Sequence, residues 1–273
     1  LFFEALSVNN LRYATEMLGT FLTSGHTNTI EYIQTYLNQG KYEIPFHAFV
    51  RSIALGDYRY YHSNKSLIGN IIQIEEDGFY SHFTKLRILS YLKERSSFDS
   101  VIGKGFISIT SMYKDFSGIC SNEDSFRNAF SSLLIKRLVQ ADNGFNIYPE
   151  DADYIRITSA GYYYLEILLK EFAYLERLCE DTQILSKNYF DKLHQQTHLI
   201  IEAYAKNPDK KFYIMKLRLE RIKIFLEYLK EQEDSEIDYL DNENIKFVYM
   251  NEIISAFNKQ SKEILRSISL NKY

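Results

Sequence analysis

A mainly α-helical chain with one small β element is what this sequence predicts, on three observations. Only three prolines interrupt its 273 residues, which leaves room for long helices. Apolar residues recur at helical spacing through most of the chain. Two short β-type runs, at residues 137–141 and 153–157, flank a polar loop near the middle. With 45% hydrophobic residues the chain can bury a sizeable core, as one large domain or two to three small ones.

The elements follow in order. Leu11, Ala14, Leu18, Phe21 and Leu22 share a helical face, with Asn9 or Asn10 as the cap and Ser24-Gly25 as the stop. Residues 29–38 form a second helix with Ile30, Ile33 and Leu37 inward, ended by Gly40. Pro45 opens a third over residues 46–55, closed by Gly56. A Tyr- and Asn-rich connection then ends in the acidic turn Glu75-Glu76-Asp77-Gly78.

Residues 80–95 make an amphipathic helix with Phe83, Leu86, Leu89 and Leu92 in register. After a loop with Gly103 and Gly105, residues 105–109 make a short strand, and a short helix carries Met112, Tyr113 and Phe116. Ser121 with Asp124 resembles a capping box that opens a third helix, with Phe126, Ala129, Phe130, Leu133 and Leu134 inward. The two β runs follow, joined by Asp142-Asn143-Gly144 and its polar continuation. The order helix, strand, helix, helix, strand, wing, strand is that of a winged helix-turn-helix.

Thr158-Ser159 caps one helix over residues 161–180, and three more follow at about 188–205, 211–231 and 244–270, divided by Pro208 and the acidic linker 231–241. Leu219, Ile222, Leu226 and Leu229 are spaced 3-4-3, a coiled-coil-like seam. The expected organisation is a helical lid-like segment over 1–79, a winged-helix domain over 80–160 and a C-terminal helical bundle over 161–273.

Charge narrows the partners. The net charge is −4 and the pI about 5.9, so no global field draws in nucleic acid or an anionic membrane. Two cysteines, Cys120 and Cys179, are too few for a disulfide framework. No run of about 18 apolar residues is present to span a bilayer. A cytoplasmic protein is expected, and because Leu1 lies inside a helical stretch, a piece of something longer.

The chemistry-bearing candidates are few. A P-loop needs a glycine-rich turn followed by a lysine, and neither Gly40-Lys41 nor Gly103-Lys104-Gly105 supplies it. Asp191, His194 and His198 fall at i, i+3 and i+7, on one helical face, where they could hold a divalent metal. No general-base glutamate or fourth ligand accompanies them, so a solvated polar face is expected. Cys120 precedes a helix start, without a His-based triad around it.

A winged helix raises the question of DNA. Binding there needs cations facing phosphates; the candidates are Arg127, Lys136, Arg137 and Arg156, with Lys216, Arg218 and Arg221 from a basic stretch that begins at Lys210-Lys211. Against them, the third helix opens Asn122-Glu123-Asp124, and the wing holds Asp142, Glu150, Asp151 and Asp153 with no Lys or Arg from 138 to 155. Protein or intramolecular docking is the favoured expectation, with a DNA-binding regulator carrying a helical dimerisation tail as the alternative. A metal-dependent enzyme is the third.

Asn9-Asn10-Leu11-Arg12-Tyr13-Ala14, running into Phe21-Leu22-Thr23-Ser24-Gly25, resembles the lid helix after the nucleotide-binding core of AAA+ and STAND-type P-loop ATPases. The blocks Phe46-His47-Ala48-Phe49-Val50-Arg51, Arg87-Ile88-Leu89-Ser90-Tyr91-Leu92, Arg156-Ile157-Thr158-Ser159-Ala160-Gly161 and Phe172-Ala173-Tyr174-Leu175 are similar to the winged-helix region after that lid. The resemblance covers roughly residues 5–185 and departs from the family where Asn9 replaces a glycine. It implies a sensor arginine at Arg12, ATP as the cofactor of a parent protein and no cofactor in this segment. It also implies a non-catalytic module that relays nucleotide state to its own upstream ATPase domain, a protein partner or a homo-oligomer.

Overall fold

A computed structural model describes residues 2–41, 43–74, 81–96, 105–119, 123–143 and 152–270. Among them are twelve α-helices and three short strands, so the chain is mainly α. No helix of the described residues is long and apolar enough to cross a membrane. The chain divides into two compact units, residues 1–168 with 240–247, and residues 169–239 with 248–273.

The first unit begins with α1 (Phe2–Ser7), α2 (Leu11–Thr23), α3 (Thr29–Gln39) and α4 (Phe46–Leu55). Asn10 caps α2 by accepting from the Tyr13 amide at 3.0 Å, and Asn28 caps α3, its side chain also bonded to Glu31. α4 starts after Pro45 and stops at Gly56, whose φ of 53° is costly for other residues. Met17 and Phe21 are the buried residues of α2, and Phe21 meets the Phe49 ring of α4 with centroids 5.4 Å apart.

That burial corrects two expected faces. Leu11, Leu18 and Leu22 of α2, and Ile30, Ile33 and Leu37 of α3, are exposed, with Leu11, Ile30 and Leu37 at 82%, 71% and 74%. Helix α2 packs on α1 and α4 through the stripe at Met17 and Phe21, which turns its leucines outward. No residue of α3 is buried. The apolar periodicity locates both helices, but the side that meets a neighbour is set by packing.

Next come α5 (Thr84–Arg95), β1 (Ile107–Ser108), α6 (Ile109–Phe116), α7 (Glu123–Ile135), β2 (Val139–Ala141), β3 (Tyr154–Ile157) and α8 (Ser159–Glu166). The strands form one antiparallel sheet in the order β1-β3-β2, with Ile155 opposite both Ile107 and Ala141. Alternation along β3 puts Ile155 and Ile157 inward and Arg156 outward. Helix α5 is buried nearly all round, Leu86, Leu89 and Leu92 included, and Phe83 just before it is buried too. The rings of Tyr91, Phe116, Phe126 and Phe130 continue the core, neighbouring centroids lying 5.0 to 5.6 Å apart.

Helix α7 ends in a Schellman pattern. The Leu138 amide donates to Leu133 O at 2.8 Å and the Arg137 amide to Leu134 O at 2.9 Å, with Arg137 at φ 57°. Gly161 then lets α8 approach closely, because a Cβ there would lie 2.4 Å from the Leu138 carbonyl oxygen. Helix α8, grouped by the sequence with the C-terminal bundle, packs in the first unit against α1 and α5. The expected boundary at 79/80 lies outside the described residues, as do the acidic turn 75–78, the loop 97–104, Cys120 with Ser121 and Asn122, and the wing residues 144–151.

The second unit holds α9 (Phe172–Asp181), α10 (Lys187–Lys206), α11 (Lys211–Tyr239) and α12 (Met250–Leu270). Three expected boundaries shift here. The single helix expected over 161–180 breaks at a 3-10 turn, Leu168–Lys170. The Gln260 side chain satisfies the freed backbone, accepting from the Phe172 amide at 2.8 Å and donating to Lys170 O at 3.0 Å.

The acidic stretch 231–241 is not a linker: α11 runs on to Tyr239, with Lys230 pairing Asp234 at 2.6 Å one turn on. Helix α12 starts at Met250 and not near 244, since residues 240–247 belong to the first unit. Leu219, Ile222, Leu226 and Leu229 are buried along α11, which packs on α9, α10 and α12.

Candidate interaction surfaces

Each cation singled out as a DNA or partner contact has a partner inside the protein. Arg127, on α7, donates from Nη1 to Ala152 O at 2.9 Å and so ties that helix to the segment that leads into β3. Lys136 reaches back from the end of α7 and donates to Ser63 O at 3.0 Å and Ser66 O at 2.9 Å. Burial lowers its pKa below the ordinary lysine value. Its stem crosses Gly69, where a Cβ would lie 2.9 Å from its Cε.

Arg137 is held by its place in the Schellman turn and by its guanidinium over the Tyr13 ring, 5.7 Å from the centroid. The Tyr13 hydroxyl donates to Leu67 O at 2.9 Å, and burial, with Glu16 nearby, pushes its pKa up to about 12. Arg156 grips Gln140 across the sheet through Nε at 3.1 Å and Nη2 at 2.7 Å, and lies 4.7 Å from the Phe106 ring centroid. Asp142 and Asp153, the described residues nearest the expected wing, are exposed and add acid there.

In the second unit the basic stretch of α11 builds an internal ion cluster. Arg218 binds Glu176 of α9 with two parallel hydrogen bonds, at 2.6 and 2.7 Å. Arg177 joins Glu176 and also Glu180 at 2.7 Å, while Arg221 lies 3.3 Å from Glu180. Burial of Glu176 pushes its carboxyl up, but the hydrogen bonds and charge of Arg218, with Arg177 and Arg221, outweigh that and hold it at about 2. Lys216, like Lys211 and Lys223 of the same helix, stays exposed, its ammonium 4.8 Å from the Phe212 ring centroid.

Arg12 stands exposed on α2. His194 and His198 come together as an edge-to-face pair, ring centroids 4.6 Å apart, with Phe190 stacked on His194. Asp191 does not join them: among the described residues no three His, Cys, Asp or Glu side chains are placed to hold a metal ion. The Cys179 thiol is pushed up to about 12 by burial, the opposite of an activated nucleophile.

Two features were missed in the sequence. One is the Glu176 cluster, whose signal was present as Glu176, Arg177 and Glu180 at helical spacing on a half-apolar helix. The other is the exposed apolar rows of α2 and α3, which periodicity alone assigns to the core. Glu31 is the one charged residue of α3, and Leu11, Leu18 and Leu22 are spaced i, i+7, i+11 on α2.

Compared with known proteins, the chain matches no family model, no curated protein and no solved structure.

Proposed function

We propose that this chain is a non-catalytic interaction module of a P-loop ATPase, in which a winged helix and a helical tail relay nucleotide state to a protein partner or oligomer. The carrying observation is the pairing of exposed apolar rows on α2 and α3 with candidate DNA-contact cations that, Lys216 excepted, are engaged inside the fold. Phosphate binding draws on cations free to face the duplex, whereas protein docking draws on desolvated apolar anchors.

The order α5, β1, α6, α7, β2, β3, with its antiparallel β1-β3-β2 sheet, supports the winged-helix reading of this region. The partner proposed for the α2 and α3 rows is the P-loop domain of the same polypeptide, and ATP belongs to that domain. Arg12, exposed beside these rows, is the residue proposed to face its nucleotide.

The test is a titration of that P-loop domain, added in trans, against the chain and an Ile33→Glu/Leu37→Glu variant. The expected result is binding by the chain and a loss of at least tenfold in the variant. Equal binding by both would contradict the docking face. A reading frame without a Walker motif ahead of Leu1 would remove the basis for the ATPase assignment.

A further inference from the structure

Of the ten residues that join α11 to α12, the eight of Leu240–Phe247 belong to the first unit and not to the unit of the helices they connect. One short 3-10 turn, Glu243–Ile245, is their regular structure, and it lies against α5 and α6. Leu240 and Ile245 are buried and serve as apolar anchors.

The polar anchor is Asp115, near the end of α6. Its Oδ1 accepts from Asn242 Nδ2 and Asn244 Nδ2, both at 3.1 Å, and Asn242 Nδ2 also donates to the Asp115 backbone oxygen at 3.0 Å. Its Oδ2 accepts from the Tyr91 hydroxyl at 2.6 Å and lies 3.6 Å from Arg95. Partial burial pushes this carboxyl up, and the hydrogen bonds from Tyr91, Asn242 and Asn244, with the charge of Arg95, bring it below the ordinary carboxylate range. Asp115 is therefore an anion when it holds the two asparagines.

The chain returns to the second unit through a different carboxylate. Glu233 on α11 is fully buried and accepts from the Met250 amide at 3.0 Å and from the Tyr249 amide, with Lys230 at 3.4 Å. An acidic side chain bound to the free amides of a helix N-terminus stabilises that end. The connection is thus held at two separate points, Asp115 before and Glu233 after.

We infer that Leu240–Phe247 is a releasable strap, latched in the first unit by Asp115, and that its release loosens the first turn of α12. Ordering eight residues costs conformational entropy at each one, and two buried apolar side chains, one turn and the bonds to Asp115 are set against it. Short connecting segments of this kind open below the free energy of global unfolding. The charge-assisted hydrogen bonds of Asp115 therefore decide whether the strap is docked. Its use as the relay between the winged-helix region and the helical tail rests on the reading proposed above, while its release does not.

Hydrogen exchange followed peptide by peptide on the whole chain tests this. Asp115→Ala, and independently Asn242→Ala/Asn244→Ala, are expected to speed exchange over 240–247 at least tenfold and over 249–253 by a smaller factor, with α5 and α10 unchanged. Glu233→Gln is expected to loosen 249–253 and leave 240–247 protected. Faster exchange throughout the first unit in both strap variants would overturn the proposal, because Asp115 would then hold the fold and not a strap. Unchanged exchange over 240–247 would overturn it as well. A chain that shows the expected pattern yet binds no P-loop domain keeps the strap and loses the relay reading.

Discussion

Helices α2 and α3 in the first unit and α9 and α11 in the second all carry apolar residues at helical spacing, yet they differ in how many of those residues they bury. In α9 and α11 both kinds of side chain go inward: leucines fill the seam, and the charges of Glu176, Arg177, Arg218 and Arg221 close on one another. In α2 only Met17 and Phe21 go inward while Leu11, Leu18 and Leu22 face outward, and in α3 the whole apolar row is exposed. Amphipathicity therefore says that a helix has an apolar side, not that the chain itself supplies what covers it.

The largest effect expected from disturbing this contrast is in the ion cluster. Glu176→Gln leaves the arginines around it without their buried countercharge, and breaking such a pair costs about 3–5 kcal/mol; chemical denaturation would measure it. A loss under about 1 kcal/mol would mean the cluster is solvated and not part of the core.

The same carboxyl sets a pH dependence. Its folded pKa, about 2, lies below its ordinary value of 4.5. The stability it contributes is then fully present above the ordinary value and is lost as pH falls from there toward 2. Denaturation midpoints measured from pH 6 down to pH 3 should fall for the parent chain and fall less steeply for Glu176→Gln.

A smaller effect is expected at Gly161, whose added methyl would meet the Leu138 carbonyl oxygen and the Ile157 side chain. Gly161→Ala should cost about 1–3 kcal/mol, as other overpacked sites do. A thermal midpoint equal to the parent's would show that α8 can back away from β2.

The smallest effects belong to the outward rows. Ile33→Glu and Leu37→Glu should change stability by less than about 0.5 kcal/mol, the range of exposed substitutions. Phe21→Ala, from the buried side of α2, should cost about 3–5 kcal/mol. Similar losses at Ile33 and Phe21 would place the α3 row inside the fold and remove the docking face.

Much of the element order was legible because local signals fix it. Asn10, Asn28, Pro45, Gly56 and Thr158 mark helix ends through side-chain or backbone chemistry that needs no distant partner. The period of two along residues 154–157 and the turn after Leu134 are equally local. What the sequence hid depends on residues far apart in the chain. The break before Phe172 is stabilised by Gln260, the continuation of α11 past Glu231 accompanies a buried Glu233 that serves α12, and the strap is held by Asp115, 127 residues before Asn242. The candidate cations were visible as charges, but their acceptors, several of them backbone carbonyls, carry no signature in sequence.

The most direct measurement is a titration of the whole chain with duplex DNA at two salt concentrations. With Arg127, Lys136, Arg156 and Arg218 engaged internally and Asp142 and Asp153 exposed beside the sheet, the expected result is weak binding, no tighter than about 10 µM near 0.15 M salt, with a shallow salt dependence. Nanomolar affinity that falls steeply as salt rises would contradict it, since those cations would then have to leave their partners for phosphate.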